Sequence, residues 1–294
     1  MAIQVELRSF KRRSTVEGGR RRSRVGTAIA NAVAIAVTLV MAFPAYWMIN
    51  TAFKPANEVL TFTPHFWPDH PTLANFGSAL GAPLFLDGLR NGLIVTISAV
   101  VCAIVVGFLG ALAVARFRFY GRRALIFVVL LVQMVPFIAL LIPLFLMLNG
   151  FQLTNTLPGV IIVYTVLVLP YTVWTLRGFI ANVPKELDEA ALVDGCTRWQ
   201  TFTRIILPLT GPGLVATTLY GFILAWNEFI IINTLNAPEN QNLMSWLLNN
   251  QTQRQTFWGP LMAGAIITSV PVVVLFLLIQ KNIATGLTAG AVKG

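Results

Sequence analysis

Six long runs of apolar residues constrain the fold of this chain more than any other feature. They cover residues 27–50, 91–115, 124–148, 157–176, 211–232 and 260–280. A run of about 20 apolar residues is long enough to cross the hydrocarbon core of a bilayer as a helix. Only 11% of the residues are charged, whereas soluble domains have about 25%. The sequence therefore predicts an all-α membrane protein with six transmembrane helices.

The distribution of positive charge predicts which ends of these helices face the cytoplasm. Of the 21 Lys and Arg residues, 18 fall in the segments on one side of the predicted membrane. Because positive residues accumulate on the cytoplasmic side, both termini are predicted to be inside, in a multi-pass protein of the cell (plasma or inner) membrane. Residues 1–26 carry eight of these charges. They are interpreted as a disordered basic cytoplasmic tail, and residues 27–294 as the transmembrane domain.

The longest charged, helix-favouring stretch is residues 184–208, between the fourth and fifth spans. Pro184 and the acidic residues after it suit the first turn of a helix. Gly195 suits a left-handed stop at the end of that helix, and a second helix is predicted over 197–207. The apolar face of this second helix consists of Trp199, Phe202 and Ile206. The pattern predicts two short helices joined at a glycine corner, outside the bilayer.

The spacing within this stretch resembles the EAA loop of ABC importer permeases. Glu189-Ala190-Ala191, Gly195 and Ile205-Ile206-Leu207-Pro208 stand at the defining positions of that loop. In the family, the loop is a coupling helix that docks on a cytoplasmic ATPase subunit. The resemblance implies that residues of about 178–210 contact such an ATPase. The expected coupling residues are Glu189 and Asp194 as polar contacts, Ala190 and Ala191 for close approach, and Gly195 at the corner. An ordinary amphipathic surface helix pair is the alternative.

The resemblance extends from the first span to the C-terminus and is to the carbohydrate branch, with its maltose- and trehalose-type second permease subunits. Trp226-Asn227-Glu228-Phe229 and residues 286–294 carry it. It implies a subunit that forms half the pore of an importer for an oligo- or disaccharide. The implied partners are a second homologous permease, two copies of a cytoplasmic ATPase that bind ATP and Mg, and an extracytoplasmic sugar-binding protein or lipoprotein. The external segment 233–259 is hypothesised to insert into that binding protein.

The sequence has few motifs that are associated with catalysis or with nucleotide or metal binding, which argues against an enzyme. The sequence has no G-x-x-x-x-G-K-[ST] nucleotide-binding motif, and no catalytic, cofactor-binding or metal residues are predicted. A nucleic-acid partner is not expected, because most positive charges adjoin apolar spans. Five of the six runs contain no Asp, Glu, Lys, Arg or His, although proton-coupled carriers usually place such groups in their spans. The alternative functions are a gradient-driven carrier, an ABC permease for a non-sugar solute, and a membrane structural or assembly factor.

Polar and aromatic side chains within the spans are candidates for a sugar pathway. Sugar sites typically offer aromatic faces together with amide or hydroxyl groups. Tyr164 and Tyr171 are seven residues apart and are expected on one face of the fourth span. The complete predicted substrate path is Gln133, Tyr164, Tyr171, Asn227 and Glu228. Polar groups also join helices within membranes, so a structural role is the alternative for each residue.

Overall fold

A computed structural model describes residues 24–251 and 256–291, with side chains for residues 26–251 and 256–281. Every regular element in these ranges is helical, which confirms the predicted all-α class. The predicted basic tail lies outside the described residues up to residue 23, and helix α1 begins at Arg24. The helices are α1 Arg24–Ala52, α2 Ala56–Val59, α3 Ala74–Leu80, α4 Phe85–Arg116, α5 Arg122–Met134, α6 Leu141–Gly150, α7 Leu157–Asn182, α8 Lys185–Val193, α9 Arg198–Thr201, α10 Leu207–Leu209, α11 Gly211–Asn227, α12 Ile230–Leu235, α13 Leu243–Asn249 and α14 Trp258–Ala291.

The chain divides into two units, one up to Trp47 and one from Met48 onward. In the first unit, the apolar side chains of α1 are exposed, as expected of a helix surrounded by lipid. Phe43 contacts the rings of Tyr46 and Trp47 near the end of this unit. Aromatic residues of this kind are enriched at the membrane–water interface.

In the second unit, α4 and α7 form the most extensive helix pair. They approach closely because small residues of α4 face α7: a Cβ atom on Gly107 would lie 2.7 Å from Cγ2 of Thr172. Ala99 and Ala103 are fully buried on the same helix. Without a hydrophobic driving force inside a bilayer, close packing of small residues is a main source of helix association. The α4–α7 pair is therefore the main packing contact of the second unit.

Helix α11 packs against α4, α7 and α14 around this pair. Phe222 and Trp226 of α11 stack in the central core with their ring centroids 5.8 Å apart. Trp226 Nε1 donates a hydrogen bond to the carbonyl oxygen of Thr268 at 3.0 Å, which links α11 to α14. The indole thus satisfies its one polar group while its apolar body fills the core.

Within the described residues, four helices are long and apolar enough to cross a membrane singly, namely α1, α4, α7 and α14. The number reaches the predicted six if each of two bent helix pairs forms one span. The predicted span 124–148 is instead broken, and its two parts, Arg122–Met134 and Phe137–Gly150, are bent by 96°. Pro136 explains the break. It has no N–H to donate, and it holds the preceding Val135 in an extended conformation with ψ of 123°.

The predicted span 211–232 is also not continuous. Helix α11 ends at Asn227, and α12 begins at Ile230. The 17 residues of α11 span only about 25 Å, and Arg198–Leu209 joins α11 at an angle of 69°. At this break, Oε1 of Glu228 accepts a hydrogen bond from the Ile231 N–H in the first turn of α12.

Helix α14 continues to Ala291, beyond the end of the sixth apolar run at residue 280. Short helices also occur between the apolar runs, α2 and α3 in residues 51–90 and α13 in residues 233–259.

Candidate functional site

The first helix of the predicted coupling loop forms as expected. Pro184 precedes it with an extended backbone, and Glu186 and Asp188 occupy its first turn. Gly195 has φ of 85°, in the left-handed region that favours glycine. The Cys196 N–H donates to the Ala191 carbonyl at 2.9 Å, and the Gly195 N–H donates to the Leu192 carbonyl at 3.2 Å. These two hydrogen bonds form a Schellman motif, which confirms the predicted end of the helix at Gly195.

The second helix begins with a complete capping box. The Thr197 hydroxyl accepts from the Gln200 N–H at 3.2 Å, and the Gln200 side chain accepts from the Thr197 N–H at 2.8 Å. A π-helical segment, Phe202–Ile206, follows and leads into α10. The helical run therefore ends at Leu209, just beyond the predicted boundary at residue 207.

The helix pair rests on an apolar cluster at the ends of α4 and α7. The Phe202 ring meets the Phe108 ring edge-on at 5.4 Å, and Ile206 is buried with Leu176 and Ile180. Trp199, predicted on the same apolar face, is instead 66% exposed. The pair is therefore attached to α4 and α7 through packed side chains, while the side chain of Trp199 is exposed.

The predicted coupling residues differ in exposure. Glu189, Ala190, Asp194 and Gly195 are exposed, whereas Ala191 is buried. The exposed surface also includes Val193, which is 88% exposed. Large apolar side chains beside charged residues are typical of a surface that binds another protein.

Arg116, the last residue of α4, joins this helix to α8. Its Nη1 donates to the Val183 carbonyl at 3.0 Å, and its Nε lies 2.9 Å from Oδ2 of Asp188. The side chain of Arg116 is only 8% exposed. Its Nε and Nη2, and Oδ1 of Asp188, are buried without a hydrogen-bond partner among the described residues. The contact is thus a charge attraction rather than an aligned hydrogen bond.

Burial raises the pKa of Asp188, and the neighbouring Glu189 raises it further. The positive charges of Arg116 and Lys185 act in the opposite direction but do not outweigh burial. Sequence reasoning did not single out Arg116. Its position at the end of a long apolar run was visible, but its pairing with a residue in a distant loop was not.

A pocket of about 240 Å³ opens between the end of α4 and the α8–α9 pair. Its walls combine apolar side chains, including Leu112, Leu192 and Phe202, with the charged Lys185 and Arg198. A concave surface of this kind has room for a side chain of another protein.

Two of the residues predicted for the substrate path are joined by a hydrogen bond. Tyr164 is fully buried, and its hydroxyl donates to the backbone carbonyl of Glu228 at 2.9 Å. The side-chain amide of Asn242 donates to the same carbonyl at 2.7 Å. These contacts hold the end of α11 in the core. They are the kind of contact expected if Tyr164 has a structural role instead of contacting the sugar.

The other three predicted path residues have separate contacts or are exposed. The Tyr171 ring stacks on that of Tyr220 with 3.8 Å between centroids. Gln133 is exposed near the end of α5, and Asn227 is exposed with its amide donating to the Ile223 carbonyl at 2.8 Å. No group of three or more His, Cys, Asp or Glu suited to a metal occurs within residues 24–251 and 256–291.

Comparison with known proteins identifies the kind of protein to which this geometry belongs. The model of the family described as "Binding-protein-dependent transport system inner membrane component" matches residues 103–288. The chain belongs to this family. It is therefore a multi-pass membrane permease component of a binding-protein-dependent transport system.

Individual relatives match over nearly their whole length. The chain is 42% identical over 275 residues to the diacetylchitobiose uptake system permease protein DasC of Streptomyces coelicolor, covering 93% of this chain and 100% of the relative. It is 35% identical to the trehalose transport system permease protein SugB of Mycobacterium tuberculosis, covering 89% and 97% of the two chains. The trehalose/maltose transport system permease protein MalG of Thermococcus litoralis is also 35% identical, with coverages of 89% and 95%.

A solved structure has the same fold. A permease chain in the crystal structure of a bacterial ABC transporter that imports the acidic polysaccharide alginate aligns with a TM-score of 0.76 at 22% identity. The alignment covers 89% of this chain and 97% of that chain. The permease fold is thus shared over almost the entire described chain.

Proposed function

We propose that this chain is a permease subunit of an ATP-driven, binding-protein-dependent sugar importer and couples to a cytoplasmic ATPase through α8. The observation that carries the proposal is the α8–Gly195–α9 unit, which exposes Glu189, Ala190 and Asp194 while its other face is packed on the ends of α4 and α7. A rigid unit with a protein-binding surface on one side is suited to pass on a displacement. The chain itself is non-catalytic, and ATP and Mg bind to the ATPase.

The sugar substrate is proposed from the relatives. The three relatives described above are named for uptake of diacetylchitobiose, trehalose or trehalose and maltose. All three are short saccharides, and each match covers most of this chain. An oligo- or disaccharide is therefore the proposed substrate, delivered by an extracytoplasmic sugar-binding protein or lipoprotein.

The proposed mechanism follows the contacts of the helix pair. Closure of two ATPase copies on ATP moves α8, and Arg116 passes this movement to α4 through its contacts with Asp188 and the Val183 carbonyl. The continuous path from Arg198 through Leu209 into α11 passes it to the fifth span. Together with a second homologous permease, these spans open and close the pore, and hydrolysis resets it.

The orientation is part of the same proposal. Residues 184–208 and both termini are placed inside, and the segments around α3 and α13 outside. The excess of Lys and Arg beside the loop ends of α4, α7 and α8 supports this assignment.

Charge reversal on α8 tests the coupling. Glu189→Lys is expected to lower both co-purification of the ATPase and ATP-dependent uptake of a labelled disaccharide, while membrane insertion persists. The matched control is Asp87→Lys, which reverses an exposed acidic residue in the first turn of α4, at the end of that helix proposed to be external. In the same membranes, Ala190→Cys is expected to form a cross-link to the ATPase.

Three results would contradict the proposal. The first is a Glu189→Lys variant with normal ATPase binding and uptake. The second is labelling of Ala190→Cys from outside the cell. The third is uptake that continues after ATP depletion while the ion gradient remains, which would favour a gradient-driven carrier. Uptake of a non-sugar solute in preference to disaccharides would retain the ATP coupling but reject the sugar.

A further inference from the structure

An apolar slot lies between α4, α5 and α7, away from the helix pair that carries the proposed coupling. It has a volume of about 200 Å³. Its walls are formed by residues such as Val106 and Gly110 of α4, Leu125 and Val129 of α5, and Val173 of α7. Among the described residues that line it, Arg177 carries the only charge.

The chemistry of the walls selects the kind of ligand that fits the slot. A sugar or a peptide would bury hydroxyl or amide groups against side chains that offer almost no hydrogen-bond partners, at a cost for each unpaired group. A hydrocarbon chain has no such groups and gains from contact with Val and Leu side chains. The slot is therefore suited to an acyl chain rather than to the transported solute.

Two arginines stand at one end of the slot. Arg177 belongs to the lining, and its Cζ lies 5.3 Å from the centroid of the Trp174 ring, so that a cation–π contact orients the guanidinium. Arg122 is one helical turn before the lining residues Leu125 and Ile126, and it shares their face of α5. The ends of α4 and α7 meet where Arg116 Nη1 donates to the Val183 carbonyl, and α5 begins at Arg122 shortly after α4 ends, so both arginines lie toward that end of the three helices.

The positive charge at this end has no acidic partner in the described parts of the chain. The ion pairs there, His65 with Asp69 and Arg116 with Asp188, include neither Arg122 nor Arg177. Nε of Arg122 is also buried without a hydrogen-bond partner in those ranges. The half-buried guanidinium of Arg122 therefore lacks a counter-charge within these ranges, and an anionic group with several oxygens would supply one.

We propose that this slot binds an anionic phospholipid of the surrounding membrane, with an acyl chain between α4, α5 and α7 and the phosphate beside Arg122 and Arg177. Basic sites between transmembrane helices that accept lipid head groups are a recognised mode of lipid binding. Trp174 also lines the slot, three residues before Arg177. Tryptophan is enriched at the membrane–water interface, where lipid head groups lie. The inference goes beyond the proposed transport function and does not depend on the identity of the sugar.

The head-group contact is tested with the full chain in its assembled complex. The complex is placed in nanodiscs of phosphatidylcholine with a minor fraction of phosphatidylglycerol, and the lipid retained after detergent extraction is measured by native mass spectrometry. Wild type is expected to retain phosphatidylglycerol. Arg122→Gln and Arg177→Gln are each expected to reduce its enrichment about fivefold. The matched control is Arg123→Gln, which removes the same charge from an exposed neighbour and is expected to retain the lipid.

The acyl contact is tested by filling the slot. A Cβ atom on Gly110 would lie 3.7 Å from Cγ2 of Val173, so Gly110→Ala fits and is the control, whereas Gly110→Leu occupies the space of the acyl chain. Val106→Phe, at an exposed position of the same wall, is a second filling variant. Both larger substitutions are expected to abolish phosphatidylglycerol retention, and excess inorganic phosphate is not expected to displace the lipid.

Several results would overturn the proposal. These are no enrichment of phosphatidylglycerol in wild type, an equal loss in Arg123→Gln, and retention that both filling variants leave unchanged. Displacement by inorganic phosphate would indicate a site for the free anion. If the filling variants instead release the second permease without altering lipid retention, the occupant of the slot is a helix of that subunit.

Discussion

Nε of Arg116 lies 2.9 Å from Oδ2 of Asp188, and this ion pair connects the end of α4 to the first turn of α8. The two partners are not equivalent. Arg116 is 8% exposed and also donates to the Val183 carbonyl, whereas the Asp188 side chain is 22% exposed. Burial raises the pKa of Asp188, so its ionised form relies on the positive charge of Arg116, whereas Arg116 has a second contact at the Val183 carbonyl.

This asymmetry predicts that Arg116→Gln is more damaging than Asp188→Asn. The first change leaves a partly buried carboxylate without its counter-charge, and it alters the contact with Val183. Breaking a fully buried pair costs about 3–5 kcal/mol, and the partial exposure of Asp188 reduces our expectation to about 1–3 kcal/mol. Asp188→Asn also removes the counter-charge of Arg116, but its amide oxygen can still accept a hydrogen bond from the guanidinium and the Val183 contact remains, so it is expected to cost less than Arg116→Gln. Thermal unfolding of the purified complex, followed by tryptophan fluorescence, measures the difference.

The double variant is the internal control for this prediction. Arg116→Gln combined with Asp188→Asn is expected to be more stable than Arg116→Gln alone, because the unpaired carboxylate is gone. A double variant that is less stable than Arg116→Gln alone would contradict this explanation of the ion pair. Uptake per ATP hydrolysed, measured on the same proteins, is expected to fall with Arg116→Gln if the pair transmits movement.

The raised pKa of Asp188 predicts a pH effect with a definite sign. Its pKa in the folded protein lies above the ordinary value of 3.8. Its contribution to stability is therefore fully present below pH 3.8 and is lost as the pH rises through the folded-state pKa. The stability of wild type relative to Asp188→Asn should increase as the pH falls through this window. The check is the difference in midpoint temperature between the two proteins, and a difference that decreases on acidification would refute the assignment.

The backbone conformation of Gly195 predicts that substitution of this residue lowers stability, although a side chain there would have room. Its φ is 85°, yet a Cβ atom there would meet nothing within 4 Å. Gly195→Ala is expected to cost about 1–2 kcal/mol, through the strained left-handed conformation alone. Gly195→Asn is expected to cost less, since Asn tolerates this conformation. The measurement is ATPase co-purification together with thermal stability.

Gly178→Ala is the matched control for the corner glycine. Gly178 is also exposed, and a Cβ atom at this position would likewise meet open space, but it lies within α7 at an ordinary helical conformation. Alanine there is expected to be neutral or slightly stabilising. Equal effects at the two positions would show that the conformation of Gly195 is not what matters.

Features with local causes were predictable from the sequence. The long apolar runs identify the spans, and the glycine corner at Gly195 and the helix start after Pro184 follow from single residue types. Proline in the third span is likewise a predictable source of bending. Its effect is larger than a kink, because Pro136 acts together with the extended conformation of Val135.

Features that depend on distant partners were not predictable. The pairing of Arg116 with Asp188, and the bond from the Tyr164 hydroxyl to the Glu228 carbonyl, each join residues far apart in the chain. No periodicity or spacing encodes such contacts. For the same reason, the shared face expected of Tyr164 and Tyr171 did not reveal that one ring is buried in the core and the other stacks on Tyr220.

Glu228 offers a test between a structural and a substrate role. Its Oε1 accepts from the Ile231 N–H at 3.0 Å and caps α12, while its backbone carbonyl receives the Tyr164 and Asn242 hydrogen bonds. The cap needs an oxygen but not a charge. Glu228→Gln is therefore expected to keep nearly wild-type stability and uptake, whereas Glu228→Ala loses the cap at a cost of about 1 kcal/mol.

The two variants are compared by thermal midpoint and by disaccharide uptake. Tyr164→Phe is the companion change, since it removes one hydrogen bond to the same break in the helix and is expected to cost about 1 kcal/mol. If Glu228→Gln instead loses uptake at unchanged stability, the carboxylate charge acts on the transported sugar or on a partner. The capping role would then not be the reason for an acidic residue at this position.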